Sequence, residues 1–200
     1  MSFNRQVETA VDGHLGHVID EVIKQESAHH LHTLRSNSHL EERHILPNVR
    51  VARETSGHKD SHQSEKRTFD GGVAADHNTA CSNARLVGRI ARQLGVNPVT
   101  AVATMLVESG GNHHCVGDHG TSFGLFQLHR GVELGSLSMH DAFNPILNAS
   151  VALQEFQKNE GRYRTPGEVA AASQRPRNRL AYARRVNESL DEARRLLEEA

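Results

Sequence analysis

The sequence predicts a mainly α-helical protein with one small β-hairpin, preceded by a helical N-terminal arm. After residue 83, apolar residues recur mostly at the three- and four-residue spacing that is typical of helices. Two Asn-Pro pairs, at 97–98 and 144–145, predict helix starts, because Asn caps a helix and Pro suits its first turn. Residues 117–128 are rich in Gly, which favours a turn or a hairpin there.

The composition excludes several function classes. The chain has 23 Lys+Arg against 24 Asp+Glu, so nothing in its charge attracts nucleic acid or an anionic membrane surface. No run approaches the roughly 18 apolar residues of a membrane-spanning helix. Residues 1–30 lack the basic start and apolar stretch of a signal peptide. We therefore expect no nucleic-acid partner and no membrane span.

The composition also changes along the chain and predicts three regions. Residues 1–55 form a His-rich helical region, with an amphipathic helix over about 5–25 and a weaker helical pattern from 31 to 47. Residues 56–80 are a polar linker with little apolar surface to bury. Residues 81–200 form a compact helical domain, and no internal repeat is visible.

Within the compact domain the apolar pattern predicts successive helices. One ends before Gly95, and the next follows Pro98 through an almost wholly apolar stretch, 99–107. Further helices are expected after Pro145, over 166–174, and as one long charged helix over 179–199.

Glu108 is the first candidate for chemistry. It directly follows the buried helix and lies at the helix C-terminus, where burial and the helix dipole both disfavour a negative charge. The pKa of Glu108 should therefore be raised, and a protonated carboxyl group near neutral pH can act as a general acid on a glycosidic bond. By itself, Glu108 would more often be an ordinary helix-end carboxylate.

The residues after Glu108 change that interpretation. Residues 108–112 (ESGGN) and 117–128 (GDHGTSFGLFQL) resemble the lysozyme-like superfamily of soluble lytic transglycosylases and goose-type lysozymes. In that superfamily a buried helix ends in Glu-Ser, and a Gly-rich turn leads to a Gly-Leu-x-Gln segment, matched here by Gly124, Leu125 and Gln127. The later helices around Asn148 and Tyr182 are also similar. The resemblance covers about residues 83–190.

The resemblance implies a peptidoglycan-cleaving enzyme and a role for each matching residue. Glu108 would protonate the oxygen between N-acetylmuramic acid and N-acetylglucosamine, and would then take a proton from the muramyl 6-hydroxyl to close a 1,6-anhydro ring. Gln127 and the backbone around Ser122, Phe123 and Gly124 would bind the sugars. Tyr182 would either orient Glu108 or serve as a packing aromatic, and the sequence leaves both open.

Asp118 leaves the product undecided. The turn that contains it also resembles that of goose-type lysozymes, whose Asp is proposed to position a water for direct hydrolysis. A further acid of that family follows the Gln segment closely, but His129 occupies that position here. Asp118 could equally fix a tight turn. We prefer the transglycosylase reaction and keep hydrolysis as the alternative.

No cofactor or metal site is expected. The chain lacks HExxH and paired CxxC spacing, so its 15 histidines predict at most incidental metal affinity. Histidines 113, 114, 119 and 129 flank the predicted cleft. Cys81 and Cys115 could form a disulfide or stay free. Cys81-Ser82 also faintly resembles a cysteine peptidase of the NlpC/P60 type, which would need a His on a strand.

The biological context is predicted from resemblance alone. Residues 123–128 and 174–176 look most like versions found in bacteriophage tail or virion proteins. Such a protein would act at the bacterial cell wall, carried by the particle or released without a signal peptide. The N-terminal helices would then dock on virion or tail proteins. A non-catalytic virion protein with a lysozyme-like fold is the remaining alternative.

Overall fold

The computed structural model describes residues 16–25, 68–69, 72–134 and 137–199. Of the described residues, 16–22 and those from 68 onward belong to one compact unit, and residues 23–25 belong to another. Helix α1 covers residues 16–25, within the predicted helix 5–25, and its Val18 and Val22 belong to the core of the first unit. The rest of that predicted helix and the pattern from 31 to 47 lie outside the described residues.

Helices dominate the described part of the first unit, as predicted. After α1 they are α2 (His77–Gln93), α3 (Pro98–Ser109), α4 (Met139–Ala142), α5 (Pro145–Asn159), α6 (Pro166–Gln174), α7 (Arg179–Glu188) and α8 (Leu190–Glu198). Within the described residues, none of these helices is both long and apolar enough to cross a membrane.

Both Asn-Pro pairs start helices, as expected. Asn97 Oδ1 accepts hydrogen bonds from the backbone N–H groups of Val99 and Thr100, and Pro98 opens α3. Asn144 caps α5 in the same way, ahead of Pro145. These side chains satisfy N–H groups that have no partner within the helix. Gly95 follows α2 with a φ of 69°, a backbone conformation that a residue with a Cβ rarely adopts.

The predicted hairpin is present and gains a third strand. Strands β3 (Val116–Gly117), β4 (Ser122–Phe123) and β5 (Leu128–His129) form an antiparallel sheet in that order. Val116 pairs with Phe123 across the first turn, and Ser122 pairs with His129 across the second. Along the chain, the sheet therefore comes directly after α3 and before the helices α4 to α8.

Helix α3 lies at the centre of the unit. It packs against α2, α6, α7 and α8, and its residues are buried on nearly every side. This explains why its sequence is apolar almost throughout rather than amphipathic. Its last turn, which carries Glu108, is consequently surrounded by other helices.

The C-terminal segment differs from the single long helix predicted over 179–199. The structure has two helices, α7 and α8, which meet at Ser189. The Ser189 hydroxyl and its N–H both donate to the carbonyl of Arg185, and the N–H also donates to that of Val186, as in the tightened last turn of a helix. After the break, Ala193 and Leu196 of α8 turn into the core. The helical apolar spacing continues across Ser189, so periodicity could not reveal the break.

The segment predicted as a linker, 56–80, is described only at 68–69 and 72–80. Strands β1 (Thr68–Phe69) and β2 (Gly72–Val73) pair antiparallel there, and α2 begins at His77. Asp76 caps α2 by accepting from the N–H of Thr79. The predicted region boundaries at residues 55 and 80 stay predictions.

Candidate active site

Glu108 occupies the last turn of α3 and is partly buried. Gly110 ends the helix with a φ of 59°, and its N–H donates to the carbonyl of Leu106. Burial raises the pKa of Glu108 from its ordinary 4.5 to about 7, and the charge of Asp118 adds to this. The Tyr182 hydrogen bond and the positive charge of Arg185 act in the opposite direction. The carboxyl group is thus half protonated near neutral pH.

Tyr182 is the direct partner of Glu108. It lies on α7, 8% exposed, and its hydroxyl donates a short hydrogen bond to Glu108 Oε1. Burial and the neighbouring carboxylate raise the pKa of Tyr182 well above 10, so its hydroxyl keeps the proton that it donates. Tyr182 is therefore both a packed aromatic and a hydrogen-bond partner of Glu108.

Ser109, which follows Glu108, connects the end of α3 to the segment around Leu125. Its fully buried hydroxyl lies 2.9 Å from the carbonyl oxygen of Leu125 and 3.1 Å from that of Met105. Glu108 and Ser109 therefore contact different parts of the structure. Glu108 faces Tyr182, while Ser109 fixes the position of the Gly-Leu-Phe-Gln segment relative to α3.

Asn148 of α5 holds that segment from the other side. Its Oδ1 accepts from the N–H of Phe126, and its Nδ2 donates to the carbonyls of Phe123 and Ala142, each at 2.9 Å. A Cβ on Gly124 would lie 2.3 Å from Asn148 Nδ2, and Gly124 has a φ of 78°. Glycine is thus required at 124 for the chain to pass this close to Asn148.

The residues predicted to bind sugar are not equally accessible. Ser122 and Phe123 are buried, and Phe123 packs edge-on against Phe143. Gln127 is partly exposed, and its Nε2 donates to the carbonyls of Cys115 and Gly124. A Cβ on Gly117 would lie 2.1 Å from Gln127 Oε1, so Gly117 makes room for this side chain. Ser122 and Phe123 thus lie in the interior, and Gln127 is the one of the three that is partly exposed.

Asp118 lies in the turn between β3 and β4. It is exposed, with a φ of 48°, and its Oδ2 accepts from the Ser122 hydroxyl at 2.5 Å. The negative charge of Asp118 raises the pKa of Glu108. The structure therefore gives Asp118 a turn-closing contact and an electrostatic link to Glu108.

Two further residues lie near Glu108 that the sequence analysis did not place there. Arg185 donates to the carbonyl of Val107, the residue before Glu108, and its charge lowers the pKa of Glu108. Cys115 is buried close enough that the charge of Glu108 adds to burial in raising the pKa of its thiol. Helix α3 ends before Cys115, and Arg185 lies on the distant helix α7, so only the packing of α7 and of the segment before β3 brings them there.

Two of the histidines that were predicted to flank the cleft contact each other. His113 lies beside His114 with ring centroids 4.1 Å apart, and Asn83 Nδ2 lies 3.2 Å from His113 Nδ1. Burial, with a smaller effect from His114, lowers the pKa of His113. Cys81 and Cys115 are both free thiols rather than a disulfide.

Comparison with known proteins agrees with this geometry. The family described as the transglycosylase SLT domain matches residues 85–192, more than half of the chain, and the match includes Glu108, the three-stranded sheet and Tyr182. No curated protein and no solved structure matches the chain. The lysozyme-like resemblance of the sequence is thereby confirmed. The chain belongs to the SLT transglycosylase family, whose members cleave glycosidic bonds of peptidoglycan.

Proposed function

We propose that this protein is a lytic transglycosylase that cleaves the β-1,4 bond between N-acetylmuramic acid and N-acetylglucosamine, with Glu108 as both acid and base. The observation that carries the proposal is the position of Glu108, in the last turn of the buried helix α3 and hydrogen-bonded by Tyr182, within the residues that match the family. The pKa of Glu108, about 7, lets one carboxyl group give up a proton and take one back near neutral pH.

The reaction balances with this single carboxyl group. Glu108 gives its proton to the linking oxygen as the bond from that oxygen to the muramyl C1 breaks. The resulting carboxylate then takes the proton of the muramyl 6-hydroxyl, whose oxygen forms a new bond to C1. The net result is one broken and one new C–O bond, with Glu108 protonated again and no water consumed.

The neighbouring residues would prepare Glu108 for both steps. Tyr182 fixes the carboxyl group by its hydrogen bond, and Arg185 favours the charged form between the two proton transfers. Gln127 and the backbone of residues 122–124 would bind the glycan strand, with Asn148 fixing that backbone at Phe123 and Ser109 fixing the adjoining Leu125.

Hydrolysis by a goose-type mechanism is the second candidate. The observation that favours it is the electrostatic link between Asp118 and Glu108, which a water-positioning carboxylate would also show. Against it, Asp118 is exposed and already accepts a hydrogen bond from Ser122, as a turn-fixing residue does. Association with a virion, and docking of the N-terminal helices on virion or tail proteins, rest on sequence resemblance alone and stay predictions.

The product distinguishes the two reactions. Digestion of purified peptidoglycan should release muropeptides with 1,6-anhydromuramyl ends, each lighter by one water than the reducing-end product, as measured by mass spectrometry. Asp118→Asn should give the same products at a similar rate, because it keeps a hydrogen-bond acceptor for Ser122. Reducing ends from the parent, together with loss of activity in Asp118→Asn, would instead establish the hydrolase. A parent that releases no soluble product would leave the non-catalytic alternative.

The pH profile tests the role of Tyr182. Because Glu108 must be protonated to act as the acid, kcat/KM should fall as the pH rises through about 7. The hydrogen bond from Tyr182 lowers the pKa of Glu108, so Tyr182→Phe should move this basic limb to higher pH as well as reduce the rate. The exposed Tyr163 is the only other tyrosine, and Tyr163→Phe is the matched control. A limb that stays in place in Tyr182→Phe would rule out this role.

A further inference from the structure

A second cluster of reactive side chains lies where the beginning of α2 meets the end of α8. His77 Nε2 lies 3.5 Å from Cys81 Sγ and 2.9 Å from Glu199 Oε2, and Cys81 Sγ lies 3.8 Å from the same carboxylate oxygen. His77 and Glu199 are exposed, and Cys81 is half-buried. None of the three takes part in the reaction proposed for Glu108.

Helix packing brings these residues together across 118 positions of sequence. His77 and Cys81 are four residues apart and so share one face of α2. Helix α8 lies close to α2, since a Cβ on Gly88 would meet Leu197 Cδ2 at 2.6 Å. This close approach fixes the end of α8, and with it Glu199, beside the first turns of α2.

The three contacts converge on one point and do not form a relay. Cys81 and Glu199 both contact Nε2 of His77. A Cys-His-Glu catalytic triad would place the thiol and the carboxylate on different ring nitrogens, because the base must accept a proton at one and be oriented at the other. The arrangement therefore does not match the cysteine peptidase that Cys81 suggested in the sequence.

Convergence on one point is instead what a metal ion requires. Imidazole nitrogen, thiolate sulfur and carboxylate oxygen are the ligands of Zn²⁺, and bond lengths of about 2.0–2.3 Å in a tetrahedron put ligand atoms about 3.3–3.6 Å apart. The three observed separations, from 2.9 to 3.8 Å, lie within a few tenths of an ångström of this. Among the described residues, these three form the one group whose potential metal-ligand atoms all lie within 4.8 Å of one another.

We propose that His77, Cys81 and Glu199 form a Zn²⁺ site that joins the beginning of α2 to the end of α8. On binding, Cys81 releases its proton and coordinates as the thiolate, and a water completes the tetrahedron. The site would hold the C-terminal helix against the domain that carries Glu108. It lies outside the chemistry of the proposed reaction and does not depend on it.

Co²⁺ titration of the reduced, chelator-treated full-length protein provides the test, since Co²⁺ replaces Zn²⁺ and gives a near-ultraviolet absorption band when bound to a thiolate. We expect this band at one equivalent and its loss on addition of Zn²⁺. The other histidines of the chain can bind Co²⁺ but give no thiolate band. Cys81→Ser should abolish the band, whereas Cys115→Ser, at the other free cysteine, should keep it.

The remaining ligands are tested with matched pairs. His77→Gln and Glu199→Gln should weaken Co²⁺ binding by about tenfold or more. His140→Gln and Glu198→Gln, which change exposed residues outside the cluster, should bind as the parent does. Zn²⁺ should raise the melting temperature of the parent and of Glu198→Gln, but much less that of Glu199→Gln.

Three results would each overturn the proposal. One is a parent protein without a thiolate band. Another is a band that survives in Cys81→Ser. The third is a Glu199→Gln variant that binds Co²⁺ as tightly as the parent, since α8 would then supply no ligand.

Discussion

Glu108→Gln is expected to lower the rate of peptidoglycan cleavage by about 10³-fold or more while leaving the fold intact. The amide can still accept the Tyr182 hydrogen bond, but it has no proton of suitable acidity to give to the glycosidic oxygen. Release of muropeptides from purified walls measures the loss. Glu188→Gln, which changes an exposed carboxylate on the same helix as Tyr182, should retain full activity.

Stability measurements distinguish this loss of chemistry from misfolding. The folded protein holds the pKa of Glu108 at about 7, above the 4.5 of a free carboxyl group, so the fold favours the neutral form. Below about pH 4.5 the group is neutral in both the folded and the unfolded chain, and no cost arises. Between about pH 4.5 and 7 the unfolded chain has lost the proton that the folded protein still holds, so stability falls over this range and levels off above it.

Gln at 108 carries no charge at any pH, so this variant avoids that cost. Its free energy of unfolding should exceed that of the parent by about 1–3 kcal/mol at about pH 8, after allowance for partial exposure, and equal it at about pH 4.5. Urea denaturation at the two pH values provides the comparison. A Glu108→Gln variant that clears cell walls as well as the parent does would contradict the catalytic role and favour the non-catalytic alternative.

Glu108 also shows which features of the structure can be predicted from residues that are close together in the sequence. The apolar run before it predicted a buried helix, the two Asn-Pro pairs predicted helix starts, and the structure contains all three features. These predictions depend only on residues a few positions apart, where helix geometry and capping fix the outcome. The raised pKa of Glu108 could likewise be predicted, because its main cause is burial of the helix on which it lies.

Contacts between distant segments could not be predicted in the same way. Tyr182 reaches Glu108 across 74 residues, and the pattern of α7 fits equally well a tyrosine that only packs. The break at Ser189 and the cluster of His77, Cys81 and Glu199 depend on how α8 packs on α2 and α3, which no local periodicity specifies. The family resemblance pointed to Tyr182 and to Asn148, but gave no contact for Asn148.

Asn148→Leu is expected to be the most destabilising of the substitutions considered. The side chain of Asn148 is fully buried and satisfies three backbone groups, the N–H of Phe126 and the carbonyls of Phe123 and Ala142. Leucine has a similar volume but leaves all three groups without partners in the core. Because each unsatisfied buried polar group costs about 1–3 kcal/mol, a loss of about 3–5 kcal/mol is expected in urea denaturation.

Asn159, on the same helix, is the control that tests the reason for this loss. It is partly exposed, and its Nδ2 donates to the carbonyl of Glu155 and to the Ser173 hydroxyl, which solvent can replace more readily. Asn159→Leu should therefore cost about 1 kcal/mol or less. If both variants lost the same stability, the hydrogen bonds from Asn148 to the segment around Gly124 would not explain the loss. A selective loss at Asn148 would show that the backbone beside Glu108 is held from α5 as well as by Ser109 of α3.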